Sequence, residues 1–229
     1  MEENVPTQSS LSSPPPSPDV EVHRVSERAS YETAVINAIV DNAIVAHVGT
    51  VRDGLPVVIP MFCVRDGDSL LLHGAPAAGT VRRGQTGIDV CVEMTIVDGL
   101  VLARSAFHHS INYRSVVVLG QAEAVSDPAE KEAALELFVE RLMAGRQAEL
   151  RPTTAKEIQG TSVLRVSLAK ASAKVRAGGP VDDDEDYATN VWAGVVPVAT
   201  VFGSPINDSL LADGIEVPAK VQALVGRQL

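Results

Sequence analysis

Aromatic side chains are scarce in this chain, at 3 % of its 229 residues. Base-stacking surfaces need several of them, so a platform for single-stranded nucleic acid is not supported. Positive charge is short as well. The formal net charge is −10, whereas domains that grip nucleic acid usually carry a basic face. Cysteine occurs twice, as Cys63 and Cys91, far apart and inside apolar runs, with no CxxC. Neither a zinc knuckle nor a redox pair is supported, and two reduced core thiols are expected. No segment is apolar for long enough to span a membrane. Met1-Glu2-Glu3-Asn4 lacks the basic start and apolar stretch of a secretion signal. The expected location is therefore the cytoplasm.

Apolar residues make up 45 % of the chain, enough for a substantial core. The serine- and proline-rich stretch "SSLSSPPPSP" has little to bury, so residues 1–22 read as a disordered tail. The folded domain is expected over 23–202, with a C-terminal extension over 203–229. Ser30 is a candidate cap for a helix from Tyr31 to about Val40, with Ala34, Val35, Ala38 and Ile39 as its buried stripe. Asp127-Pro128-Ala129-Glu130 resembles a capping box and predicts a second helix to about Glu149. Its core face would carry Ala134, Leu137, Phe138, Arg141 and Leu142.

Three Asp-Gly pairs, at 53–54, 66–67 and 98–99, are flanked by β-rich sequence and predict hairpin turns. The strands they separate are "NAIVAHVGTV", "LPVVIPMFCV", "SLLLH", "IDVCVEMTIV" and "LVLARSAF". "YRSVVVLGQAEAV" follows as a longer one, and "TSVLRVSLAK" and "VWAGVVPVATVF" as late ones. Many antiparallel strands with few helices imply a closed or half-closed barrel. The strands are mostly apolar on both faces, so helices or a second copy of the chain should cover the outside.

Several polar residues stand out against this background. "LLHGAPAAGTVRR" ends an apolar run at His73, then turns through Ala78 and Gly79 toward Arg82 and Arg83. A histidine there could act as acid or base near neutral pH, or simply be structural. His108 and His109 are adjacent. On a strand they would face opposite ways and could not chelate one ion, so no metal site is expected. Arg114, beside Asn112, Tyr113 and Ser115, could hold an anion. Trp192 is the only tryptophan, and Asp182 to Asp186 read as a solvated loop.

The stretch "ARSAFHHSINYRSVVVLGQAEAVSDPAEK" strongly resembles the flavin-binding split-barrel proteins related to pyridoxamine-phosphate oxidase. It is closest to their nitroimidazole-reductase-like branch. "HVGTVRDGLPVVIP", "DGDSLLLHGAPA", "ASAKVRAGGPVDDDEDY" and "VWAGVVPV" match in the same order, so the likeness runs from about 24 to 200. The resemblance implies a mainly β, six-stranded split barrel with a few peripheral helices. It also implies a homodimer with FMN held at the subunit interface. Val58, Ile59, Pro60, Met61 and Phe62 match the strand that lies against the flavin ring, and His73 matches a histidine beside it. Arg114 and Ser115 match positions that seat the phosphate and ribityl chain. Trp192 matches a tryptophan near the ring, and Lys174 and Arg176 match the basic pair near the acidic loop.

One departure matters. The family's Ser-Arg phosphate ligands are replaced by Ala78 and Gly79, a loss of about 3 kcal/mol, or roughly a hundredfold in FMN affinity. Arg82 or Arg83 are the nearest replacements. Two readings follow. One is an FMN oxidoreductase that takes hydride from a nicotinamide and reduces a small organic acceptor, with His73 and Arg114 as catalytic residues. The other is a flavin-free barrel reused as a cyclase, isomerase or binding protein for an apolar, polyketide-like molecule, its cavity lined by Met61, Phe62, Leu72 and Trp192. The expected partners are a second copy of the chain and a small-molecule substrate, with no nucleic acid and no membrane.

Overall fold

The structure is a computed structural model and describes residues 13–74 and 87–229. The described residues form nine strands and four α-helices. In chain order these are β1 (Ala29–Ser30), α1 (Thr33–Asn42), β2 (Val45–Arg52), β3 (Leu55–Asp66), β4 (Ser69–Gly74), β5 (Ile88–Leu102), β6 (Ser110–Ala124) and α2 (Pro128–Leu142). They continue as α3 (Ala155–Gly160), β7 (Ser162–Ser167), β8 (Ala171–Arg176), β9 (Gly194–Pro197) and α4 (Ala219–Gln222). The chain divides into two compact units. One comprises residues up to Ile96 together with Arg114–Val175; the other comprises Val97–Tyr113 and Arg176–Leu229.

In the first unit, hydrogen-bonded neighbours run β6-β7-β4-β3-β2-β5, and β5 pairs with β6 as well. Six strands thus close into a ring, the barrel that the resemblance implies. β8 and β1 extend the sheet beyond β6. Alternate residues on each strand point inward: Ala46 and Val48, Cys63, Leu70 and Leu72, Val92 and Met94, Val116 and Val118, Leu164 and Val166. All are essentially without solvent contact. The other face of β3, β4 and β7 carries Val64, Leu71 and Val163, which pack against Ala134 and Phe138 of α2. This is the helical cover that strands apolar on both faces require.

The first two Asp-Gly turns form as read. Asp53 and Gly54 both have positive φ, +53° and +79°, as a two-residue type I′ hairpin demands. Gly67 opens the next turn at φ +58°. The third does not exist, because β5 runs straight through Asp98-Gly99. A Cβ on Gly99 would lie 3.0 Å from Val195 Cγ1 and 3.1 Å from the Val196 carbonyl, so the glycine lets β9 approach β5 in the second unit. The supposed separate strand "LVLARSAF" is the end of β5, followed by a 3-10 turn at Ala106–His108.

Helix α1 starts two residues later than expected. Ser30 accepts only a long 3.4 Å hydrogen bond from the Glu32 amide, and the cap position is Glu32. The buried residues are Ile36, Ile39 and Val40, while Ala34 and Ala38 face outward. Helix α2 ends at Leu142, where a helix to Glu149 was expected. Asp127 caps it by accepting from the Glu130 amide at 2.9 Å, but the Glu130 carboxylate takes a hydrogen bond from Arg165 of β7 instead of closing the box. At its other end, Arg141 donates to the Asp41 carbonyl at 2.6 Å. Both ends of α2 are thereby tied down. Residues 13–22, read from composition as tail, include the buried Val20, and Ser13 donates to Glu32.

The second unit is organised around Asp182. Its side chain has no solvent exposure; it accepts from the Arg104 amide at 2.9 Å and pairs with the Arg104 guanidinium at 3.1 Å. Residues beyond 203 fold back, with Val201 bridging to Gln228.

Candidate functional site

The first unit holds a pocket of about 530 Å³ between α2 and the outer face of β3 and β4. Strand alternation builds its floor. Cys63 and Leu72 point into the barrel, so Phe62 and His73 point out, on neighbouring antiparallel strands. Helix periodicity builds the roof: Leu135, Phe138, Val139 and Leu142 recur at i, i+3, i+4 and i+7. The rim is polar, formed by Gln147, Arg151, Thr153, Glu157 and Thr161.

Aromatic edges hold the imidazole of His73 in place. Its centroid is 4.4 Å from that of Phe138, at 72° between planes, and 6.4 Å from that of Phe62, at 87°. Burial depresses the His73 pKa below its ordinary value, which favours the neutral ring. Among the described residues none hydrogen-bonds it. At the rim, Arg151 donates to both Glu157 oxygens, at 2.9 and 2.5 Å. Glu157 also completes the Thr154 capping box of α3, and these contacts hold its carboxyl well below the usual range.

Of the candidate site residues that are described, Phe62 and His73 meet in this pocket. Met61 lies on the opposite face of β3 and packs against the barrel core, and Leu72 is fully buried there. Trp192 belongs to the second unit, 65 % exposed. Within the first unit, Met61 and Leu72 therefore face the barrel interior and Phe62 the helix-covered side, because neighbours on a strand face opposite ways. Ile59 and Pro60 lie on the exposed part of β3, beside Val58 and Leu55. Arg114 is half-buried on β6; Ser115 donates to the Lys174 carbonyl at 3.4 Å, and Lys174 Nζ donates to the Arg24 carbonyl. Ala78, Gly79, Arg82 and Arg83 lie outside the described residues.

In the second unit, Arg176 bonds Asn112, whose amide donates to the Gly178 carbonyl at 3.1 Å. His108 and His109 stand at the end of the 3-10 turn rather than on a strand. His109 Nδ1 lies 2.8 Å from the Ser105 carbonyl, and His108 Nε2 lies 3.3 Å from Asp183. His108, Asp183 and Asp186 form a set whose ligand atoms all fall within 4.8 Å of one another. Reading the His-His pair alone missed this set, since its carboxylates come from far along the chain. The acidic loop is likewise more than a solvated stretch, as buried Asp182 shows. The rim residue Arg151 was also missed, having no motif of its own.

The pyridoxamine 5'-phosphate oxidase family matches residues 32–175. Among solved structures, the chain is similar to a flavocytochrome from Azotobacter vinelandii, with 40 % identity and a TM-score of 0.86, over 92 % of this chain and 99 % of that one. It is similar to an FAD and haem binding protein from Mycobacterium smegmatis, with 35 % identity and a TM-score of 0.83, over 87 % and 98 %. A candidate 5-nitroimidazole antibiotic resistance protein from Bacteroides thetaiotaomicron shares the fold, at 22 % identity and a TM-score of 0.53, over 64 % and 86 %. A search of curated proteins finds no match.

Proposed function

The chain belongs to the pyridoxamine 5'-phosphate oxidase-like family of split barrels, and from that premise we propose that it is a redox protein holding both a flavin and a haem. The observation that carries this reading is the likeness, over nearly the whole length of each, to two proteins named for those cofactors. When bound, the flavin would take two electrons as hydride from a reduced nicotinamide and the haem would carry single electrons toward a small acceptor; that chemistry is the cofactors' own.

The residues present suit a flavin. The start of β3 leaves Leu55, Val58 and Ile59 exposed, an apolar surface against which a flat ring can lie. Arg114 and Ser115 remain the residues to hold its tail. Arg114 supplies positive charge, and the Ser115 hydroxyl is already oriented by the Lys174 carbonyl. The sequence also favours one flavin over the other. Ala78 and Gly79 stand where a terminal phosphate would need Ser and Arg. FMN ends in such a phosphate; FAD does not, since its phosphates are internal to a dinucleotide. The flavin expected from the resemblance alone was FMN, and FAD fits this chain better.

A second copy of the chain is the natural cover for the β2–β3 hairpin, whose Val51, Leu55 and Val58 are all more than 60 % exposed. A homodimer would bury them and complete the flavin groove.

Heat-denaturing the purified protein and separating the released cofactors tests the reading. FAD and haem together are expected. Release of FMN alone contradicts the dinucleotide, and release of neither, after incubation with both, contradicts the function.

A further inference from the structure

We propose that His73 is the axial ligand of the haem and that the pocket under α2 is its seat, an assignment that rests on the flavin-and-haem reading above. Haem is a large apolar macrocycle with an edge bearing two carboxylates and an iron that a histidine nitrogen commonly holds. The pocket has a counterpart to each. Its volume of about 530 Å³ falls within the roughly 300–1,000 Å³ of cofactor-sized clefts. Phe62, Leu135, Phe138 and Leu142 give it apolar walls, and the rim carries the Arg151 guanidinium, paired with Glu157, which a haem carboxylate would have to share or displace.

The histidines decide the matter. The chain has five, and all are described. His23 is exposed. His47 is exposed and pairs with Glu93 at 3.3 Å. His108 faces Asp183, and His109 faces the Ser105 carbonyl. His73, unlike the others, lines the apolar cavity under α2, with its ring orientation set by Phe62 and Phe138 and no described hydrogen bond to break. A ligand held by packing against rigid elements keeps its geometry, and β4 and α2 are both anchored here.

The test is haem titration of the full-length chain, read by the Soret band and by electron paramagnetic resonance. The wild type should bind one haem per chain with a nitrogen ligand. His73→Ala should weaken binding at least tenfold and shift the band, and added imidazole should restore the wild-type spectrum by filling the vacated position. Arg151→Leu should weaken binding about tenfold with the band unmoved, because the ligand remains. Should His73→Ala not fold, His73→Gln keeps the packing and is read the same way. An unchanged spectrum in the His73 variants, or loss of the band in His47→Ala or His108→Ala instead, overturns the assignment. A wild type that takes up no haem overturns the functional reading itself, and the assignment with it.

Discussion

Cys63 shows how far a single buried side chain is from its solution chemistry. Its sulfur lies inside the barrel, 3.9 Å from that of Met94, and burial pushes its pKa from 9.0 to about 11. The folded state therefore keeps a proton that the unfolded state gives up. The resulting stability is full below about pH 9 and is lost as pH rises toward 11, about 3 kcal/mol in all. Alkylation at pH 8 should label exposed Cys91 first, with Cys63 reacting only on unfolding; equal rates would place Cys63 outside the core. Asp182 works in the opposite direction. Burial opposes its charge, but the Arg104 amide and guanidinium, with the Ser105 amide, hold its carboxyl below the ordinary 3.8. Its contribution is present above about pH 4 and lost as pH falls further. Asp182→Asn should lower the melting temperature at pH 7 and flatten the acid limb of the stability profile. A variant that keeps the wild-type acid limb would contradict the role given to the Asp182–Arg104 pair.

Among the elements, the three Asp-Gly dipeptides separate what local sequence can and cannot show. At Asp53-Gly54 the turn is a property of two residues, so the sequence reveals it. At Gly99 the same dipeptide serves a strand 95 or more residues away, and nothing local announces that β9 must come within van der Waals distance. Gly99→Val should cost about 1–3 kcal/mol by urea denaturation, since overpacking against Val195 and the Val196 carbonyl has no room to relax. An unchanged midpoint would mean β9 does not press on β5. The candidate site divides in the same way. His73 and Phe62 were legible, one ending an apolar strand and one on a recognisable motif. Their shared pocket was not, because its other walls come from α2 and from Arg151, brought over by the pairing of β4 with β7. Alternation could have shown that Met61 and Phe62 face apart. Phe138→Ala, which removes the wall touching both Phe62 and His73, should destabilise by about 3–5 kcal/mol and release the imidazole orientation. Thermal melts with and without haem would measure both effects, and a loss of stability without any loss of haem affinity would detach Phe138 from the site.

At the scale of the whole molecule, the family match spans residues 32–175 and the likeness to the flavocytochrome nearly the whole chain, while the β2–β3 hairpin leaves Val51, Leu55 and Val58 exposed. Leu55→Glu with Val58→Glu should convert a dimer into monomers by light scattering and release the flavin, if the groove needs both copies. Dimers that persist would place the interface elsewhere. The central claim, a split barrel that carries two redox cofactors, is tested most directly by the absorption spectrum of the purified chain after incubation with FAD and haem and removal of excess. Flavin absorbance together with a Soret band is the expected result; a protein that stays colourless would contradict it.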